Sequence, residues 1–80
     1  MAKKPTYSQG EYIVRKRSRN AETYNYSPWS YFSKVYSNFD DADYFIHNEY
    51  FPMPENACMI EVEVIDFEGK CVSTYIDEYC

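Results

Sequence analysis

Apolar and polar positions alternate over Glu11-Tyr-Ile-Val-Arg-Lys-Arg, which predicts a β-strand across residues 11–17. One face of it carries Tyr12, Val14 and Lys16, the other Ile13, Arg15 and Arg17. Residues 18–28 are polar and include Asn20, Asn25 and Pro28, so a loop of about ten residues is expected, long enough to carry function. Strand character returns over residues 29–36 with Trp29, Tyr31, Phe32, Val35 and Tyr36. The period then changes. Phe39, Ala42, Phe45, Ile46 and Tyr50 recur at three- and four-residue spacings and predict an amphipathic helix. Ser37 or Asn38 caps it, Asp40, Asp41 and Asp43 favour the positive end of its dipole, and Pro52 and Pro54 stop it.

Strand alternation resumes at Ile60, Val62 and Val64, separated by Glu61 and Glu63. Glu68-Gly69 then reads as a two-residue hairpin turn, with Gly supplying the positive φ. That turn sets Phe67 opposite Lys70, Ile65 opposite Val72, Glu63 opposite Thr74 and Val62 opposite Tyr75. Ile60, Val62, Val64, Cys71 and Tyr75 then share a face that the helix stripe can cover. The expected fold is α+β, a small antiparallel sheet of about four strands in the order β-β-α-β-β with one helix packed on one face. Residues 1–80 form a single domain, with 1–10 a flexible lead-in and 11–80 folded.

Composition narrows the class. The 80 residues are 45% hydrophobic and 20% aromatic, enough apolar area for one core and no second domain. There are ten Tyr and five Phe but two Gly, so rings supply much of that area. No apolar run approaches the ~18 residues of a membrane span, and Met1-Ala-Lys-Lys-Pro leads into no signal-peptide core. Cys58, Cys71 and Cys80 are odd in number and widely spaced, a poor disulfide framework. They are expected to be structural thiols, with Cys80 exposed and able to cross-link dimers on oxidation. A cytoplasmic protein follows from these features.

Charge is polarised along the chain. Residues 1–20 hold six basic side chains against Glu11, and residues 21–80 hold Lys34 and Lys70 against twelve acids, so the two segments carry +5 and −10 within a net −5. A basic first strand can pair its charged face with Glu61 and Glu63 of the hairpin, or meet a partner. Arg15, Lys16, Arg17 and Arg19, interleaved with Tyr12, Tyr24, Tyr26 and Trp29, form the arrangement that neutralises phosphates while stacking bases. In the other direction, the acids can present a phosphate-like array to a basic groove on another protein.

Chemistry beyond binding has few parts to work with. The sequence has no phosphate-cradling glycine loop, nucleophile elbow or zinc-protease motif, so no catalytic residue and no cofactor is expected. His47 follows Asp43 by four residues, a spacing that makes a surface helix pair. His47, Cys58, Cys71 and Cys80 lack the short ligand knuckle of a zinc site, so no metal is expected either. The tyrosines weigh toward protein binding. Ten exceed what one helix-on-sheet core can bury with every hydroxyl satisfied, and exposed Tyr gives rigid contact area at low entropic cost. Tyr24, Tyr26, Trp29 and Tyr31 are the candidate anchors, although Trp29 is expected to complete the core.

The strand over Tyr12–Arg17, the helix segment Asn38-Phe-Asp-Asp-Ala-Asp-Tyr-Phe-Ile and the hairpin over Met59–Ile76 together resemble the small phage-encoded inhibitors of the anti-CRISPR type. The likeness is one of architecture, an acidic single domain with a short antiparallel sheet and no enzymatic motif. The basic first strand departs from a purely acidic nucleic-acid mimic. The resemblance implies a viral, non-enzymatic inhibitor that occludes a host protein or ribonucleoprotein with a basic surface. On this reading Asp40, Asp41, Asp43 and Glu49 meet basic side chains of the partner, and Tyr24, Tyr26 and Tyr31 supply apolar anchors. The alternative is a small nucleic-acid-binding domain using Arg15, Lys16, Arg17 and Arg19.

Overall fold

A computed structural model describes residues 3–80 of the chain. Four strands and one helix follow in sequence: β1 (Ile13–Asn20), β2 (Ser30–Tyr31), α1 (Phe39–Asn48), β3 (Ala57–Ile65) and β4 (Cys71–Glu78). The strands form one antiparallel sheet in the order β2-β1-β3-β4. The fold is α+β, and α1 packs on one face of the sheet. No helix among the described residues is long and apolar enough to cross a membrane.

Local chemistry explains most of the elements. Asn38 caps α1 by accepting a hydrogen bond from the Asp41 amide at 2.8 Å, and Asp40 and Asp41 occupy the first turn. The helix buries Ala42 and Ile46 against Val14, Ile60, Val62 and Val64 of the sheet. Phe32, Phe45 and Phe51 complete this core with edge-to-face ring contacts at centroid separations of 5.4–5.9 Å. Tyr50 does not belong to the buried stripe. Glu49 leaves the helix with extended backbone, which turns Tyr50 to solvent at 82% exposure and swings Phe51 into the core instead.

The strand faces follow the alternation. Val14 belongs to the helix-side core and Lys16 lies over the Phe32 ring, whereas Arg15 and Arg17 point to the open face. The hairpin register agrees at Val62–Tyr75 and Glu63–Thr74 but shifts between Val64 and Ile65, so that Ile65 meets Cys71 rather than Val72. Asp66 causes the shift. Its side chain accepts from the Glu68 and Lys70 amides, its carbonyl accepts from Gly69 (φ 83°), and its own amide donates to Lys70. The resulting bulge moves Cys71 off the helix side and lets Val72 pack there.

Three expectations need correction. β1 continues to Asn20, and the segment read as a long loop folds back along it. Ser18 and Ser27 exchange backbone and hydroxyl hydrogen bonds, and the Asn20 amide donates to Asn25. The second strand shrinks to Ser30–Tyr31, because the chain drops Phe32 into the core and rejoins β1 only at the Tyr12–Tyr36 bridge. Most consequentially, Cys58 and Cys80 are joined by a disulfide across the open end of the β3–β4 hairpin, with Cys71 as the free thiol. The pair lies 22 positions apart in sequence, but antiparallel pairing returns Cys80 to Cys58, where the Tyr79 amide donates to the Cys58 carbonyl. The bond removes the cysteine argument for a reducing compartment.

The lead-in is seated at the opposite end. The Tyr7 hydroxyl donates to the Asp66 carbonyl and its ring meets Phe67 edge-on at 6.0 Å. Ile13 and Ile65 face each other at this end of the open face, and both are buried.

Candidate functional site

The open face of the sheet is organised around three arginines. Alternation along β1 projects Arg15, Arg17 and Arg19 to this side at every second residue. β3 lies on one flank in a register that sets Arg15 opposite Glu63 and Arg17 opposite Glu61. The ion pairs form at 2.8 and 2.7 Å, the internal one of the two outcomes that the charge pattern allowed. On the other flank the returning chain lays aromatic rings over the guanidinium planes. Arg15 lies 4.0 Å from the Trp29 centroid, Arg17 lies 4.1 Å from Tyr26 and 4.4 Å from Trp29, and Arg19 lies 5.2 Å from both Tyr24 and Tyr26. Each of the first two arginines is thus held between a carboxylate and a ring.

This arrangement fixes the long side chains before any partner arrives. Burial opposes the Arg15 charge, but the Tyr31 hydroxyl and the Glu63 carboxylate outweigh it and raise its pKa. At the tip, the Asn20 side chain accepts from the Glu22 and Thr23 amides, and Arg19 Nε donates to the Tyr24 carbonyl. Tyr24 itself takes a left-handed backbone (φ 61°), an uncommon state for a residue with a bulky ring. It remains 54% exposed and Tyr26 46% exposed. Trp29 is a half-buried part of this ladder and does not join the helix-side core.

The expected single acidic, tyrosine-rich face does not assemble. Tyr24, Tyr26 and Tyr31 stand with the arginines on the open face, and Asp40, Asp41, Asp43 and Glu49 belong to α1 and its C-cap on the other side of the sheet. Asp43 is tied internally. It accepts a hydrogen bond from the Ser73 hydroxyl of β4, and its carboxylate lies 3.2 Å from His47 Nδ1. Lys16, from the alternative basic set, faces the helix side and is separated from Arg15, Arg17 and Arg19. The two predicted sets therefore exchange members: the tyrosines join the arginines, and the acids find different rings.

Those rings line a groove of about 530 Å³ on the helix side, formed by Glu11, the segment preceding α1, and one flank of the helix. Asp41 and Glu49 border it together with Tyr36, Tyr44 and Phe45. Burial, followed by the nearby Glu49 and Asp41 charges, raises the Tyr36 pKa. Glu11, Tyr36 and Tyr44 were not singled out by sequence pattern, since they come from separate segments and share no spacing. Comparison with protein-family models, curated proteins and solved structures gives no match.

Proposed function

We propose that this chain is a non-enzymatic protein-binding protein that occludes a partner surface with the open face of its sheet. One observation carries the reading: Arg15, Arg17 and Arg19 interdigitate with Tyr24, Tyr26 and Trp29 on the face away from α1, where Tyr24 and Tyr26 stay about half exposed. Trp, Tyr and Arg are the residues that dominate protein–protein contact energies, and here their rotamers are already held. Protein binding is favoured over phosphate binding because Arg15 and Arg17 spend their charge on Glu63 and Glu61, which also place two carboxylates on the face a polyanion would approach. The same proposal extends to a viral source and to a host defence or nucleic-acid-handling complex as target. A cytoplasmic site of action belongs to the same proposal.

The test is a pull-down from bacterial lysate, run with and without nuclease, using the parent chain, Tyr26→Ala with Trp29→Ala, and Asp40→Lys. A stoichiometric protein partner that survives nuclease and disappears with the ring variant, but not with Asp40→Lys, is the expected result. Recovery of nucleic acid with no protein left after nuclease overturns the reading. So does a protein partner indifferent to the two rings.

A further inference from the structure

The groove between α1 and the segment preceding it carries an unbalanced charge. Glu11, Asp41 and Glu49 line it, and Lys34 is the one basic side chain among its lining residues. Each carboxylate has one oxygen engaged within the chain. Glu11 accepts from the Ser8 amide, Asp41 from the Asn38 side chain, and Glu49 from the Tyr50 amide. Their second oxygens have no hydrogen-bond partner among the described residues. No ion pair joins any of the three to Lys34, and the other ion pairs of the described residues lie elsewhere.

A second and independent feature is Tyr36. The residue is 92% buried, yet its hydroxyl makes no hydrogen bond among the described residues, and no fully buried side-chain oxygen or nitrogen there lacks a partner. The hydroxyl therefore reaches the groove surface, beside Asp41 and Glu49. A phenol held in a nearly closed position with no partner offers both an acceptor and a ring to an incoming donor. The ring already holds a cation: Lys34 Nζ lies 5.1 Å from its centroid. Across the groove, Tyr44 presents a ring that is 69% exposed.

We infer that this groove is a docking site for a basic side chain, arginine or lysine, presented by a segment of a partner protein. The carboxylate oxygens left free by Glu11, Asp41 and Glu49 accept its N–H groups, the Tyr36 hydroxyl accepts another, and Tyr36 and Tyr44 cover its aliphatic stem and charged head. The groove volume falls within the range of small-ligand sites, which is ample for one long side chain and its backbone. Lys34 acts as an internal competitor for the same ring. This site lies across the sheet from the arginine ladder and does not depend on it.

The experiment titrates the ¹⁵N-labelled protein with capped hexa-arginine, hexa-lysine and hexa-glutamate peptides and follows amide shifts. The basic peptides are expected to move residues 34–37 and 41–49, with hexa-glutamate inert. Glu11→Gln combined with Glu49→Gln leaves the helix cap intact and should weaken binding by about tenfold, while Tyr36→Phe weakens it by about threefold. Lys34→Ala should tighten binding by about threefold, because the competitor is gone. Tightening on loss of one positive charge is also the general electrostatic result, so Lys70→Ala serves as the control and should change affinity less than Lys34→Ala. Shifts spread over both faces, equal effects of the two lysine variants, or unaltered binding in the double glutamine variant each overturn the assignment. Because loss of Trp29 leaves the groove untouched, failure here is separable from failure of the open-face proposal.

Discussion

The Cys58–Cys80 disulfide offers the sharpest test of how this small domain is held together. Cys80→Ser removes the bond and leaves the buried Cys58 in place, so no cavity is created. The bond closes a loop of 22 residues. Restricting that loop in the unfolded chain stabilises the fold by about 3 kcal/mol at room temperature. A domain of this size has a total stability of roughly 4–12 kcal/mol, so the bond supplies a large share. The variant should melt about 12–24 °C below the parent, since 1 kcal/mol shifts a domain of this length by about 4–8 °C. Dithiothreitol should bring the parent to the same midpoint and leave the variant unchanged. Thiol counting in denaturant should find Cys71 alone in the oxidised parent, and Cys58 with Cys71 in the variant. A bond that forms by this count but whose loss moves the midpoint by less than about 4 °C would refute the loop-closure reasoning.

Arg17→Ala removes the Glu61 ion pair and two ring contacts at once, and should cost about 1.5–3 kcal/mol in urea denaturation, with Arg17→Lys recovering part of it; a loss under about 0.5 kcal/mol means the ladder is decorative. Tyr24→Gly and Tyr24→Ala both lose the ring over Arg19, but only glycine relieves the left-handed backbone, so the glycine variant should be the more stable of the two by about 1 kcal/mol, and equal melting temperatures contradict the strain argument. Burial raises the Tyr36 and Tyr7 pKa values, so the unfolded chain ionises first. Their contribution to stability is constant below about pH 10 and is lost as pH climbs through the raised values. Tyr36→Phe should flatten this alkaline limb in denaturation curves at pH 9–11, and an unchanged slope would assign the limb to other groups.

Which side of β1 and of β3 meets the helix was legible from the residues of single segments. Val14 and Lys16 against Arg15 and Arg17, or Val62 and Val64 against Glu61 and Glu63, announce their faces because side chains alternate with a period of two. The Asn38 cap and the Ala42–Ile46 stripe are equally local, so the helix was readable to within about two residues. Charge alternation left open whether the basic face of β1 met Glu61 and Glu63 or a partner, and the β1–β3 register decided it by setting Arg15 opposite Glu63 and Arg17 opposite Glu61. Misreadings arose where a distant contact decided the outcome. Tyr50 carried the right spacing for burial, yet the turn at Glu49 gave its place to Phe51. Cys71 fell on the wrong face because the Asp66 turn inserted a bulge that shifts the register by one.

The site divides along the same line. The sequence determined that Tyr24, Tyr26 and Trp29 follow a basic strand and that acids cluster in the helix, because these are neighbours along the chain. The tertiary structure decided that the sheet stands between the two groups. It stacked the rings on Arg15, Arg17 and Arg19 and brought Glu11 and Tyr36 beside Asp41 and Glu49. It also returned Cys80 to Cys58 across 22 residues. Periodicity tells which way a side chain points from its own element, but only the packed order of elements determines what it points toward.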